Sequence, residues 1–292
     1  MGWLSAILPL LAAGATASPC EPVAGWDRLL AAPGKRYIVV GEMHGTEQAP
    51  ELFGDLACLT GQARPLVIAL ELPDADQDEL DAYLASDGGE AAQPALLKAR
   101  HCSAQDGRSS RAMFALIERL RQLHQAGMVE AVVAFVPTTP PAEGYTTQWY
   151  ERAMAETIMR RVSGQASALV LVGDSHARTG EMTFNGQSYL AMSAHFPERE
   201  RVTLVIGGHG GRSWSCSRGS AGGELECRAH DFPPTAGASP ARGLVLGPAW
   251  GVPTGVLHVG GPFTASPPQI RPPFQTTRPT TSTSAIATST GS

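Results

Sequence analysis

Arg36 to Thr46, RYIVVGEMHGT, is the stretch on which the reading of this chain turns. Tyr37, Ile38, Val39 and Val40 form a short β-branched apolar run, the pattern of a buried strand. The run breaks at Gly41, and Glu42 and His44 follow at once, ahead of Gly45, Thr46 and a helical pattern. An acid and a histidine at the carboxyl end of a strand stand where open α/β sheets form their ligand crevice. The arrangement recurs downstream, where apolar Ala168–Val172 leads into Gly173-Asp174-Ser175-His176. A lone Gly-x-x-His turn is usually structural. Two of them, with Glu71 at a further strand end, point to a shared site.

Outward from these turns, strands alternate with helices. Thr46 is expected to cap a helix whose apolar positions Leu52, Phe53, Leu56 and Leu59 recur at helical spacing. Pro65–Leu70 is the next strand, ending at Glu71, and Asp74–Ala85 reads as a polar helix. Asp106-Gly107-Arg108 precedes Ser109, the expected N-cap of an amphipathic helix with Met113, Ile117, Leu120 and His124 on its inner face. Val129–Val136 is a third strand, and Thr147–Val162 a helix with Tyr150, Met154 and Ile158 inward. Ser188–Met192 and Val202–Ile206 read as further strands. This alternation predicts an α/β fold, a three-layer mainly parallel sheet with helices on both faces. The organisation expected is a signal peptide over 1–17 and an α/β domain over 18–210. A β-hairpin appendage over 211–261 and a disordered Pro/Thr/Ser-rich tail over 262–292 complete it.

The 292 residues, 43% hydrophobic, suffice for one large core or two small ones. The net charge is −5, with 22 Lys plus Arg and no basic block, which excludes nucleic acid and an anionic membrane surface as partners. Gly2 to Pro19 carry no charged side chain, Ile7–Ala13 form an apolar centre, and Ala15-Thr16-Ala17 resembles a cleavage site. The expected product is periplasmic or secreted, with no membrane span once the signal is removed. Export places the five cysteines in an oxidising space. Cys216 and Cys227 flank a Gly- and Ser-rich turn and are expected to pair. Cys58 with Cys102 is the second expected pair, leaving Cys20 over.

His44 and His176 are expected to emerge onto one face with Glu42, Glu71 and Asp174 nearby. Such a set can hold a divalent metal of the zinc, manganese or cobalt class, with His44, His176, Glu71 and Asp174 as ligands. The metal lowers the pKa of a bound water, and Glu42 then serves as general base. Without a metal, the same groups can act as a His–Glu base pair. Asp106 and Arg108 are candidates for the rim, with Arg108 suited to a carboxylate or phosphate on a small-molecule or peptide substrate. The remaining histidines carry no spacing argument.

The GEMHGT turn, the Glu71 strand end, the DGRSS helix start and the GDSHA turn, in that order over Arg36 to Gly208, resemble the ChaN-like, TIKI/TraB and erythromycin-esterase superfamily. The resemblance implies an α/β sheet with both histidine turns in one crevice. It implies either a hydrolase, metal-dependent as in TIKI peptidases or using His and Glu as in the esterases, or a haem-binding protein of ChaN type. Carried over by position, His44, Glu42, Glu71 and His176 are the functional residues. The esterases have one more residue between Glu and His than Glu42-Met43-His44 shows. In the haem reading, Tyr37 or Tyr189 would help the histidines contact an iron porphyrin. Gly173-Asp174-Ser175-His176 also resembles the first block of SGNH-like serine esterases, with Ser175 as nucleophile. No late Asp-x-x-His supplies that family's acid and base.

Overall fold

The apolar run at 37–40 lies in the middle of a seven-stranded sheet in the computed structural model, which describes residues 20–218, 224–247 and 254–269. The expected signal, and the tail from residue 270 onward, lie outside the described residues. The sheet is built from β1 (Tyr37–Glu42), β2 (Leu66–Pro73), β3 (Ala131–Val136), β4 (Ser167–Gly173), β7 (Arg201–Gly207), β10 (Gly243–Leu246) and β11 (Gly255–His258). Its order is β10-β11-β7-β1-β4-β2-β3, with every pair parallel except β10 with β11. β1 through β3 step to one side, β4 returns between β1 and β2, and β7 takes the other flank of β1. That reversal opens a crevice at the carboxyl ends of β1 and β4.

Alternation along each strand divides the core into two layers. Ile38, Val40, Ile68, Leu70, Leu169 and Leu171 face the helices α2 (Gln48–Ala63), α3 (Gln77–Ala85) and α5 (Arg111–Gln125). Val39, Val67, Ala69, Val133, Phe135 and Val170 pack on Met154, Ala155 and Ile158 of α6 (Thr147–Arg161). Both faces of the sheet are covered, so its strands read as continuous apolar runs. The three-layer α/β architecture expected from the alternation is the one observed.

Several local expectations are corrected. Thr46 turns its hydroxyl back to donate to Met43 O at 3.2 Å, so the N-cap of α2 is Glu47, which makes no side-chain cap bond. Ser110, not Ser109, caps α5 by accepting the Met113 N–H at 3.2 Å, while Ser109 donates to Ala104 O. Ser188–Met192 does not join the main sheet. Its strand β6 (Gln187–Leu190) pairs only with β5 (Glu181–Phe184), in a short hairpin. Within 211–261, β8 (Gly211–Arg218) and β9 (Leu225–Phe232) form the separate hairpin, whereas β10 and β11 extend the main sheet.

Cys216 and Cys227 are bonded across that hairpin, with Cα atoms 4.0 Å apart. The other disulfide is Cys20–Cys58, leaving Cys102 free and buried. The expected Cys58–Cys102 pair fails because the Glu21 N–H donates to Asp55 Oδ1 at 3.2 Å, which lays the amino-terminal segment along α2 beside Cys58. Among the described residues no helix is long and apolar enough to cross a membrane.

The β8–β9 hairpin braces the first histidine turn. The Trp214 N–H and the Ser266 N–H each donate to Gly45 O at 2.8 Å, and Trp214 Nε1 donates to Gln105 O at 3.0 Å. Gly45 has φ +75°, and a Cβ there would stand 2.0 Å from Trp214 O. Gly45→Ala is therefore expected to destabilise the fold by more than the ~1–3 kcal/mol of backbone strain alone. Urea unfolding, with the histidine region followed by NMR, checks it. Cys216→Ser/Cys227→Ser, which opens a short loop, is expected to lose about 2–3 kcal/mol by calorimetry.

Candidate active site

β1 and β4 run in register, with Glu42 opposite Gly173, so the two Gly-x-x-His turns leave the sheet side by side. The Asp174 N–H donates to Glu42 O at 3.0 Å and ties them together. Gly173 has a steric role here. A Cβ on it would lie 2.9 Å from His44 Nε2 and 3.5 Å from Glu71 Oε2, so glycine lets the imidazole cross the end of β4.

His44 is held between two carboxylates. Its Nδ1 meets Glu42 Oε1 at 3.0 Å and its Nε2 meets Glu71 Oε2 at 3.3 Å. Glu71 also accepts the Gly173 N–H at 2.7 Å and Arg108 Nη1 at 3.3 Å. Arg108 is paired in turn with Asp106, its Nε donating at 3.0 Å. His176 approaches from the opposite side. Its Nε2 is 4.0 Å from Glu71 Oε1, beyond a hydrogen bond, and its Nδ1 meets Glu151 at 2.8 and 2.9 Å. Glu151 is buried on α6 and accepts the Met192 N–H at 2.7 Å. The result is two carboxylate–imidazole pairs, Glu42–His44 and Glu151–His176, facing each other across Glu71.

The charges follow from this packing. Burial disfavours the His44 cation, but the charge of Glu71 and the hydrogen bonds to Glu71 and Glu42 outweigh it and push the imidazole up to about 10. Burial likewise raises Glu71, yet His44, His176 and the Gly173 N–H bring it down to about 2. At neutral pH these two form an imidazolium–carboxylate pair. Glu42 is raised, since burial outweighs its bond to His44 and the neighbouring His44 charge. Its Oε2 is buried with no hydrogen-bond partner among the described residues. His176 is raised above its ordinary value: burial lowers it, but the Glu151 bond and the Glu71 charge win, with His44 opposing.

Glu42, His44, Glu71, Asp106, Arg108 and His176 therefore come together. Asp174 stays outside this cluster. Its side chain is 48% exposed and pairs with Arg178 at 3.5 Å. The His176 ring turns its Nδ1 to Glu151, and among the described residues no hydrogen bond joins Ser175 to either histidine. Tyr37 sits at the far end of β1, stacked on Phe196 at 4.8 Å. Tyr150 on α6 flanks His176, with ring centres 6.3 Å apart.

Glu151 went unread in the sequence. Its signal was its place in the row 151, 154, 155 and 158, where Met154, Ala155 and Ile158 are buried. A glutamate at an apolar position of a helix marks a partner waiting on the sheet.

As placed, the donor set does not fit a resident divalent ion. Both ring nitrogens of His44 are taken by carboxylates, and among the described residues no group of three or more His, Cys, Asp or Glu is arranged to hold a metal.

No family model matches the chain, and no curated protein matches it. Two solved structures share its fold. A succinoglycan biosynthesis protein superposes with a TM-score of 0.58 over 86% of this chain and 93% of its own, at 10% identity. An erythromycin esterase mutant in its open conformation superposes with a TM-score of 0.52 over 71% of this chain and 78% of its own, at 12% identity. The class defined here is thus an α/β fold similar to those of these two structures, with two histidine turns at one end of its sheet. The ChaN-type and haem-binding parts of the resemblance draw no support from these two structures.

Proposed function

We propose that this protein is an exported hydrolase of ester or amide bonds that works by proton transfer between two carboxylate-backed histidines. The observation that carries the reading is the pair of dyads facing each other across Glu71. A carboxylate on Nδ1 fixes each ring, with His44 Nε2 on Glu71 and His176 Nε2 turned toward the reacting bond. His44, the imidazolium held by Glu71, places positive charge beside the substrate carbonyl oxygen, and Arg108 adds more at the rim. His176, whose Nε2 makes no hydrogen bond among the described residues, takes a proton from the attacking water as hydroxide adds to the carbonyl carbon. The bond to the leaving group then breaks, and the His176 proton passes to the departing oxygen or nitrogen. Glu71 keeps the His44 cation in place, and Glu42 and Glu151 orient the rings.

The pH dependence follows in sign. His176 must be neutral to accept a proton, so kcat/KM is expected to rise as pH passes its raised pKa above 6.5. His44 must be charged, so kcat/KM falls again near pH 10. Glu151→Gln replaces the charged acceptor that raises His176 with a neutral one, and its acid limb should move to lower pH. A p-nitrophenyl acetate rate profile measures both limbs, and an acid limb unmoved in Glu151→Gln removes His176 as the base.

Elemental and haem analysis of the purified chain is the companion test. One divalent ion per chain, lost in His44→Ala/His176→Ala, would overturn the metal-free mechanism in favour of a metal hydrolase. A Soret band on adding haemin, absent in His44→Ala, would favour haem binding. Ser175→Ala should keep full turnover, since Ser175 lacks a bond to either histidine, and loss there would revive the serine-esterase alternative. The two disulfides support the exported, periplasmic or secreted, part of the proposal.

A further inference from the structure

A cavity of about 230 Å³ adjoins the two histidine turns on the β7 side. Met43, between Glu42 and His44, and Asp174, two residues before His176, form one wall. Val205 and Ile206 at the end of β7, with Phe232 and Phe263, form the rest, closed by Pro233, Pro234 and Thr235. The two phenylalanine rings pack on each other at 5.4 Å. Larger cavities of about 430 and 500 Å³ lie elsewhere, and neither is lined by a residue of the two histidine turns.

The lining has little to offer a polar ligand. Pro233 and Pro234 carry no N–H. Thr235 is already satisfied, its N–H donating to Gly208 O at 2.9 Å and its hydroxyl accepting the Gly208 N–H at 3.1 Å. The one charged group is Asp174, paired with Arg178, and it disfavours an anionic tail. Met43 is nonetheless 43% exposed, an apolar side chain left open beside the catalytic turn. β7 is the neighbour of β1, in register at Gly41 with Val205, so one strand spacing of about 4.8 Å separates the cavity floor from the strand that carries His44. The volume admits roughly seven or eight water-sized groups, too few for a partner's helix or strand.

We infer that this cavity holds a neutral hydrocarbon group of the substrate, next to the scissile carbonyl, and that it sets chain-length preference. This rests on the hydrolase reading above, and the test separates the two. Rates would be measured on p-nitrophenyl esters from acetate to decanoate, and on alkyl acetates of rising length. In one of these series kcat/KM should climb about threefold per added methylene until the cavity is full, then level off. Met43→Trp, a substitution at an exposed position, should flatten that climb, read as the ratio of hexanoate to acetate kcat/KM, and Met43→Ala should extend it to longer chains. Circular dichroism confirms that both variants are folded. Acetate turnover with no length dependence in either series, or a slope that survives Met43→Trp, overturns the pocket and spares the hydrolase. Absence of turnover on every ester sinks the hydrolase instead. In that case saturation-transfer NMR with hexanamide decides the pocket. Methyl contact in the parent and in His44→Ala, lost in Met43→Trp, supports it, and no contact in the parent rejects it.

Discussion

Glu71→Ala is expected to cost the fold about 3–5 kcal/mol in urea unfolding at neutral pH. The carboxylate balances the His44 imidazolium, accepts the Gly173 N–H at 2.7 Å and holds Arg108 at 3.3 Å. Removing it leaves a half-buried cation and a buried N–H without their acceptor, which is the expensive way to break such a pair. The pH dependence carries a sharper signature. His44 rises in the folded state from 6.5 to about 10, so its contribution is full below pH 6.5 and is lost as pH climbs through about 10. Glu71 falls from 4.5 to about 2, so its contribution is full above pH 4.5 and is lost as pH drops through about 2. The parent should therefore gain most from the pair between pH 4.5 and 6.5. Glu71→Ala should lose much of the alkaline decline, because the Glu71 charge is the largest influence raising His44. A variant whose stability and alkaline slope match the parent's would refute the paired charges.

His44→Ala is expected to lower kcat/KM on p-nitrophenyl acetate by about 10²–10⁴-fold while the protein stays folded. The fold survives because Glu71 keeps Gly173 and Arg108, and Glu42, already raised by burial, can take up a proton. A thermal melt beside the rate assay separates the two effects. Parent-level turnover in His44→Ala would remove His44 from the mechanism.

Much of the site was legible because its residues sit at strand ends, where periodicity fixes their position. Ile38 and Val40 alternate with Val39 between two buried layers, and that alternation continues to Glu42 before the chain turns. Glu71 closes a run of the same kind, which is why it could be placed before any geometry. Glu151 was not legible in this way, since a helix row that is apolar but for one carboxylate implies a partner without saying which residue it is. Asp174 shows the converse. It shares the turn of His176, but the turn sends its side chain outward to Arg178. The cysteines failed for a related reason: the spacing of Cys20, Cys58 and Cys102 says nothing of a segment laid along α2 by a bond to Asp55.

The sequence by itself determined the alternation of strands and helices, the paired Gly-x-x-His turns and the hairpin disulfide, because each is written in local period or spacing. Only the tertiary structure decided that β4 lies between β1 and β2, that Glu151 backs His176, and that β10 and β11 complete the sheet. Those outcomes depend on contacts between residues far apart in the chain, whose energies follow from how whole layers pack.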